Sequence, residues 1–283
     1  MSLLEEAFNK KCNVIYLLDD ITNVRMMKDV DIYQIKMFLH NQFGGNLYMN
    51  RSIPIFSEDD EARLFIECLF DYYQMKYCDD FQKIKPLFHF VKANVSAEAL
   101  LAIFRDDKLL TSTMRSICIV DGDKNIDIQQ KSFKKQKAEE IIRDADFTNY
   151  ILKLPGNMSP EELAFQYSIE LFENDAVFWQ DKTLNDIGFT KISYRDNIRP
   201  HIDSINEKIK ELQNSDESTN GVRRKMNKKL FNNNQYKKLF KAVLEQWIRD
   251  NEEEVNKFYK NLHVLFCKVS DFHDINPGEW KLE

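Results

Sequence analysis

Ile53-Pro-Ile-Phe-Ser-Glu58 and Ser116-Ile-Cys-Ile-Val-Asp-Gly-Asp123 decide the fold, because each is a short apolar run that stops abruptly on acid. Runs of this length are too short for helices, and their Ile, Val and Phe content suits strands buried on both faces. Two more runs share the pattern, Leu87-Phe-His-Phe-Val91 and Tyr150-Ile-Leu-Lys-Leu154. Helical patterns separate them. The stretch from about Asp59 to Tyr77 carries an apolar stripe at Ala62, Phe65, Ile66, Leu69, Phe70 and Tyr73. Ser96 is an N-cap with Glu98 behind it, opening a helix through Leu100, Leu101, Ile103 and Phe104. A basic helix over about Phe133 to Arg143 leads to the fourth run. Buried strands alternating with helices predict an α/β fold with a central, mostly parallel sheet flanked by helices. In such sheets the functional residues gather at the carboxyl ends of the strands.

Outward from this block the pattern changes on both sides. After Pro155-Gly156, Ser159-Pro160-Glu161-Glu162 brings an N-cap, a first-turn proline and first-turn acids together, so another helix begins there. From Arg199 onward the chain reads as all helical, with a polar break at Asn214 to Gly221. The first fifty residues hold a strand-like run, Asn13 to Leu18, and an amphipathic stretch, Val30 to Leu39, with Ile32, Ile35, Phe38 and Leu39 apolar. They supply too little core to stand alone, and Gly44-Gly45-Asn46 separates them from the strand block. The expected organisation is an extension over 1–50, a sheet domain over 51–198 and a helical region over 199–283.

Composition sets the outer bounds. The chain has 283 residues, 43% hydrophobic and 30% charged, with only seven glycines and six prolines, which favours a helix-rich globular protein over a disordered one. A net charge of -6 gives no general attraction to a polyanion, so nucleic-acid binding needs a local basic face or bound cations. One candidate face is Arg223-Arg-Lys-Met-Asn-Lys-Lys229 with Lys237, Lys238 and Lys241, interleaved by Phe231, Tyr236 and Phe240; a solvated helix face has the same composition. The five cysteines are odd in number, widely spaced and form no CxxC pair, so reduced core residues are expected and a zinc site is not. No basic-then-apolar leader and no long apolar window is present, so the expected location is the cytoplasm, with no membrane partner.

Three acidic groups fall at equivalent places in this scheme. They are Glu58-Asp59-Asp60-Glu61 after the first run, Asp121-Gly-Asp123 after the third, and Glu161-Glu162 after the fourth. Carboxylates gathered at one sheet edge repel unless a cation neutralises them, and hard oxygen donors favour Mg2+ or Mn2+. Gly122 permits a sharp turn that points Asp121 and Asp123 to one side. Alone, Asp-Gly-Asp also describes a plain turn; Glu58 makes the difference. Glu58, Asp121 and Asp123 are therefore the expected catalytic and metal-holding residues, with Asp59 and Glu161 as further ligands. Helix capping is the competing role for the acids after Ser57 and for Glu161 and Glu162.

Ile55-Phe-Ser-Glu-Asp-Asp-Glu-Ala62 and Ile119-Val-Asp-Gly-Asp-Lys124 resemble the Toprim domain, whose pattern is a glutamate after the first strand and Asp-x-Asp after the third. The glutamate-aspartate start, and Leu154-Pro-Gly-Asn-Met-Ser-Pro-Glu-Glu162, are most similar to the Toprim portion of OLD-family (overcoming lysogenisation defect) nucleases. The resemblance covers about residues 50 to 175. It implies a Toprim-like catalytic domain, divalent-metal cleavage of DNA or RNA, and a role as effector subunit in an ATPase-controlled anti-phage defence system. A lysine assists in such sites, and Lys124 and Lys191 are the candidates. No Gly-x-x-x-x-Gly-Lys-Ser/Thr loop is present, so a separate ABC/AAA-type ATPase is the expected partner, with 1–50 as a docking segment and an oligomer as a further expectation. The alternatives are a primase-like Toprim enzyme and an inactive or regulatory interaction module.

Overall fold

Strands β1 (Tyr16–Asp20) and β2 (Asn23–Met27) pair antiparallel as a two-stranded sheet, a few residues beyond the strand-like run expected at Asn13 to Leu18. The four apolar runs form β3 (Ile53–Ser57), β4 (Phe88–Val91), β5 (Ile117–Val120) and β7 (Ile151–Lys153), all mutually parallel where they pair. A two-residue strand, β6 (Ala145–Asp146), adds antiparallel to β7 and closes the edge, giving the order β4-β3-β5-β7-β6. The register sets Ile55 opposite Ile117, Ser57 opposite Ile119 and Val120 opposite Lys153, so the carboxyl ends of β3, β5 and β7 share one edge. The computed structural model describes residues 16–20, 23–27, 52–92, 95–106, 115–126, 144–214, 220–273 and 275–281. The amphipathic stretch Val30 to Leu39 and the basic helix expected over Phe133 to Arg143 lie outside the described residues.

Alternation along β5 shows why both faces must be covered. Ile117 and Ile119 enter the main core, while Cys118 and Val120 enter a second cluster with Leu100, Leu101, Phe104, Ile126 and Ile151. Helix α1 (Asp60–Lys76) covers the first face, its expected stripe fully buried. After α2 (Cys78–Ile84), helix α3 (Ala97–Phe104) covers the second face, capped by Ser96 Oγ, which accepts from the Ala99 N–H at 3.4 Å.

Beyond the sheet come α4 (Pro160–Asn174), α5 (Lys182–Asp186), α6 (Lys191–Asn197), α7 (Arg199–Asn214), α8 (Asn220–Phe231), α9 (Lys237–Asp250) and α10 (Glu252–Val269). Helix α9 packs against α1 and α4, with Trp247 5.8 Å from Phe65 and Phe240 4.9 Å from Phe165 between ring centroids. Near the chain end Trp280 packs edge-on or tilted against Tyr73, Phe81, Phe88 and Phe266 and donates its indole N–H to the Tyr73 hydroxyl at 3.3 Å. One apolar core thus runs from Ile53 to Trp280, and the helices after Arg199 share it with the sheet. No helix among the described residues is long and apolar enough to cross a membrane. Cys68, Cys118 and Cys267 are free, and burial pushes the Cys68 thiol up to about 12.

Candidate functional site

The sheet's carboxyl edge is tied together by an acid. Glu58, immediately after β3, accepts the Asp121 N–H on Oε1 at 3.1 Å, linking the ends of β3 and β5 across 63 positions of sequence. Glu58 is 2% exposed and is not the cap of α1. That role belongs to Asp59, whose Oδ1 accepts the Ala62 N–H at 3.0 Å. The competition between capping and chemistry among these acids is therefore divided, with Asp59 capping the helix and Glu58 tying the end of β3 to the end of β5.

Asp121 to Lys124 closes a turn, the Lys124 N–H donating to the Asp121 carbonyl at 3.1 Å. Gly122 was expected for its freedom to turn sharply, but it is not among the glycines with positive φ. Close approach demands it instead: a Cβ there would lie 2.3 Å from the Gly156 carbonyl oxygen and 2.9 Å from that of Met158. The loop after β7 is thereby pressed onto the Asp-Gly-Asp turn. Gly156 itself takes φ +90°, a conformation reserved largely for glycine. The same loop leads into α4 and delivers Glu161, 2% exposed, in that helix's first turn; Glu162 is half-buried.

Electrostatics shows how crowded the edge is. Burial pushes the Asp121 carboxyl well above the usual range, helped by the charges of Glu58, Asp59, Glu161 and Asp123. Burial also raises Glu161, opposed by Lys228 and reinforced by Asp59 and Glu61. Two oxygens inside this group, Asp121 Oδ1 and Glu161 Oε2, are buried with no hydrogen-bond partner among the described residues. An orphaned buried carboxylate oxygen is costly, and an all-oxygen donor set of this kind suits a hard divalent cation. As the side chains stand, no group of three or more His, Cys, Asp or Glu among the described residues is gathered tightly enough to hold an ion. Asp123, the most exposed member, pairs with Lys124 at 3.1 Å.

The lysines are arranged differently from the expectation drawn from neighbouring sequence. Burial tends to lower the Lys124 ammonium, but Glu58 and Asp123 outweigh it and hold it above the usual lysine range. Lys191, at the start of α6, lies over the Phe172 ring with Nζ 5.0 Å from its centroid. The lysine brought to the acids from far along the chain is Lys228 on α8, inside the basic stretch Arg223 to Lys229. It donates to Asp59 Oδ2 and stands 3.6 Å from Glu61, while Asn232 Nδ2 donates to Glu61 Oε1. Burial would raise the Asp59 carboxyl, yet the bonds from Lys228 and Ala62 hold it below the usual range. Both Asp59 oxygens are thus engaged, by the helix and by Lys228. The sequence marks Lys228 only as one cation of a run, and a separation of 169 positions hides its partner.

Next to Asp123 opens a cleft of about 1120 Å3, lined by Gly122 to Asn125, the loop after β7 and the junction of α9 with α10, and carrying Asp250, Glu252, Glu253 and Glu254 as well as Lys153, Lys257 and Lys260. Comparison with protein-family models, with curated proteins and with solved structures returned no match for this chain.

Proposed function

We propose that this chain is a divalent-metal-dependent nuclease of Toprim type, hydrolysing phosphodiester bonds in DNA or RNA in the cytoplasm. In this reading it is the effector subunit of an ATPase-controlled anti-phage defence system. The observation that carries it is the pair of orphaned buried oxygens, Asp121 Oδ1 and Glu161 Oε2, at the carboxyl edge of a mostly parallel sheet. Glu58, Asp121, Asp123 and Glu161 are the residues that would hold Mg2+ or Mn2+, with Asp59 the least available because its oxygens are engaged. When bound, such an ion supplies an activated water and charge stabilisation at the phosphate. The chain's own residues supply the rest. Glu58 fixes the spacing of β3 and β5 through the Asp121 N–H, and Lys228 balances the charge of Asp59 and Glu61. Lys124 does the same for Asp123. The resemblance of Ile55–Ala62 and Ile119–Lys124 to Toprim nucleases supports the reaction class, and a separate ATPase supplies the trigger.

Glu58→Gln keeps an oxygen for the Asp121 N–H and removes the charge. It is expected to abolish Mg2+- or Mn2+-dependent cleavage of labelled DNA and RNA in the presence of the ATPase, with thermal unfolding unchanged. Unaltered cleavage by this variant would overturn the assignment. A second reading, a regulatory interaction module, is favoured by one observation: the carboxylates are not gathered to hold an ion as they stand. Calorimetric titration separates the two, since heat of Mn2+ binding that disappears in Asp121→Asn belongs only to the enzyme.

A further inference from the structure

Lys153 ends β7 in what otherwise reads as an apolar run, opposite Val120 at the carboxyl end of β5. It is 8% exposed and lines the cleft beside the acids. Among the described residues its ammonium makes no ion pair or hydrogen bond. The three acids whose charges reach it are each held elsewhere. Asp144 pairs with Lys257, Asp123 pairs with Lys124 at 3.1 Å, and Glu254 Oε1 accepts the Gly156 N–H at 2.6 Å. Burial therefore prevails over Asp144, Asp123 and Glu254 and holds the Lys153 ammonium below the usual lysine range. A lysine stem buried in the sheet with its ammonium at the cleft and no ion pair of its own is open to an anion entering there. Asp123, one of the acids proposed to do the chemistry, lines the same cleft together with Lys124, Lys257 and Lys260, so an anion held there lies next to it.

We propose that Lys153 is a phosphate-binding residue, and that the cleft between the Asp-Gly-Asp turn and the α9–α10 junction seats a backbone phosphate of a nucleic-acid strand beside the acid cluster. This rests on the nuclease reading for the identity of the strand, but the phosphate contact is tested without cleavage. A fluorescein-labelled single strand of DNA or RNA is titrated with the full chain in EDTA over a range of salt, following anisotropy. Lys153→Met is expected to weaken binding about tenfold or more, the loss of one charge-assisted contact. The slope of log K against log salt should become shallower by about 0.7. Lys153→Arg is expected to keep both. Because the Lys153 ammonium makes no ion pair or hydrogen bond among the described residues, replacing it with an apolar side chain of similar length breaks no contact, and Lys153→Met should melt no lower than the parent.

Unchanged affinity and slope in a folded Lys153→Met overturns the proposal, as does failure of the parent to bind strands, inorganic phosphate or pyrophosphate. A melting temperature raised by pyrophosphate in the parent but not in Lys153→Met, with no strand binding, sustains the phosphate contact and overturns the strand as its source, and the nuclease reading with it. Loss of strand affinity in Lys153→Met alongside normal cleavage by Glu58→Gln keeps Lys153 and removes the assigned acid site.

Discussion

Gly122→Ala adds one methyl group where two backbone segments meet, and its effect can be worked from distances. The new Cβ would stand 2.3 Å from the Gly156 carbonyl oxygen, 2.9 Å from its carbon and 2.9 Å from the Met158 oxygen, where ordinary contact begins at 3.4 Å. All three obstacles are backbone atoms, so no side chain can swing away. The turn and the loop must part by about 1 Å, an overpacking that costs about 1–3 kcal/mol. For a chain of this size that lowers the melting temperature by roughly 2–12 °C. The loop also leads to Glu161, and if that residue helps hold the proposed metal, a displacement of about 1 Å costs on the order of a hundredfold in rate. Differential scanning calorimetry and a Mn2+-dependent cleavage assay read the two effects. Gly278→Ala is the control, its Cβ meeting only the Asn276 side chain at 3.3 Å, and should lie within about 0.5 kcal/mol of the parent. If Gly122→Ala melts and cleaves like Gly278→Ala, the loop is not pressed onto the turn and the account of Gly122 is wrong.

Asp121 has its folded carboxyl raised above the ordinary value of 3.8, so the native state binds more protons and stability falls as pH climbs from about 4 through the raised value. Asp121→Asn should flatten that decline, raise the metal-free melting temperature at about pH 8, and remove the stabilisation by Mg2+ that the proposed site predicts for the parent there, together with its loss in acid; a parent curve with no decline would contradict it. Asp59 is shifted the other way, so its pairing stabilises above the unfolded value of 3.8 and is lost as pH falls through the lowered one. Lys228→Met should cost about 1–3 kcal/mol at neutral pH by urea unfolding, the gap to the parent closing in strong acid; a gap that persists there would point to lost packing. Trp280→Ala should cost about 3–5 kcal/mol and unfold sheet and helices in one transition. Two separate transitions would show that the core is not shared.

Much of the sheet was legible because burial on both faces leaves a strong local signal. The run Ile53 to Phe56 is β3 but for one residue, and Ser116 to Val120, Leu87 to Val91 and Tyr150 to Leu154 each overrun their strands by one residue at an end or at both. The same averaging concealed Lys153, one charge inside a run read for its hydrophobicity. β6 has two residues and no periodicity to detect. Among the acids, Glu58 and Asp121 announced themselves through strand ends, whereas the division of labour between Glu58 and Asp59 depends on which carboxylate meets the Ala62 N–H. Lys228 and Asn232 were illegible as site residues because nothing local distinguishes a cation that faces solvent from one that faces a carboxylate far along the chain.

The contact between Lys228 and Asp59 also orders events during synthesis. Emerging from a ribosome at roughly 5–20 residues per second, the chain presents Glu58, Asp59, Glu61, Asp121 and Glu161 well before Lys228 and Asn232 arrive to neutralise Asp59 and Glu61. Until then the edge is a group of mutually repelling charges with no helix α9 to bury α1 and α4. Asp59 and Glu61 therefore gain the partners that hold them in the folded chain only after some 169 further residues have been made.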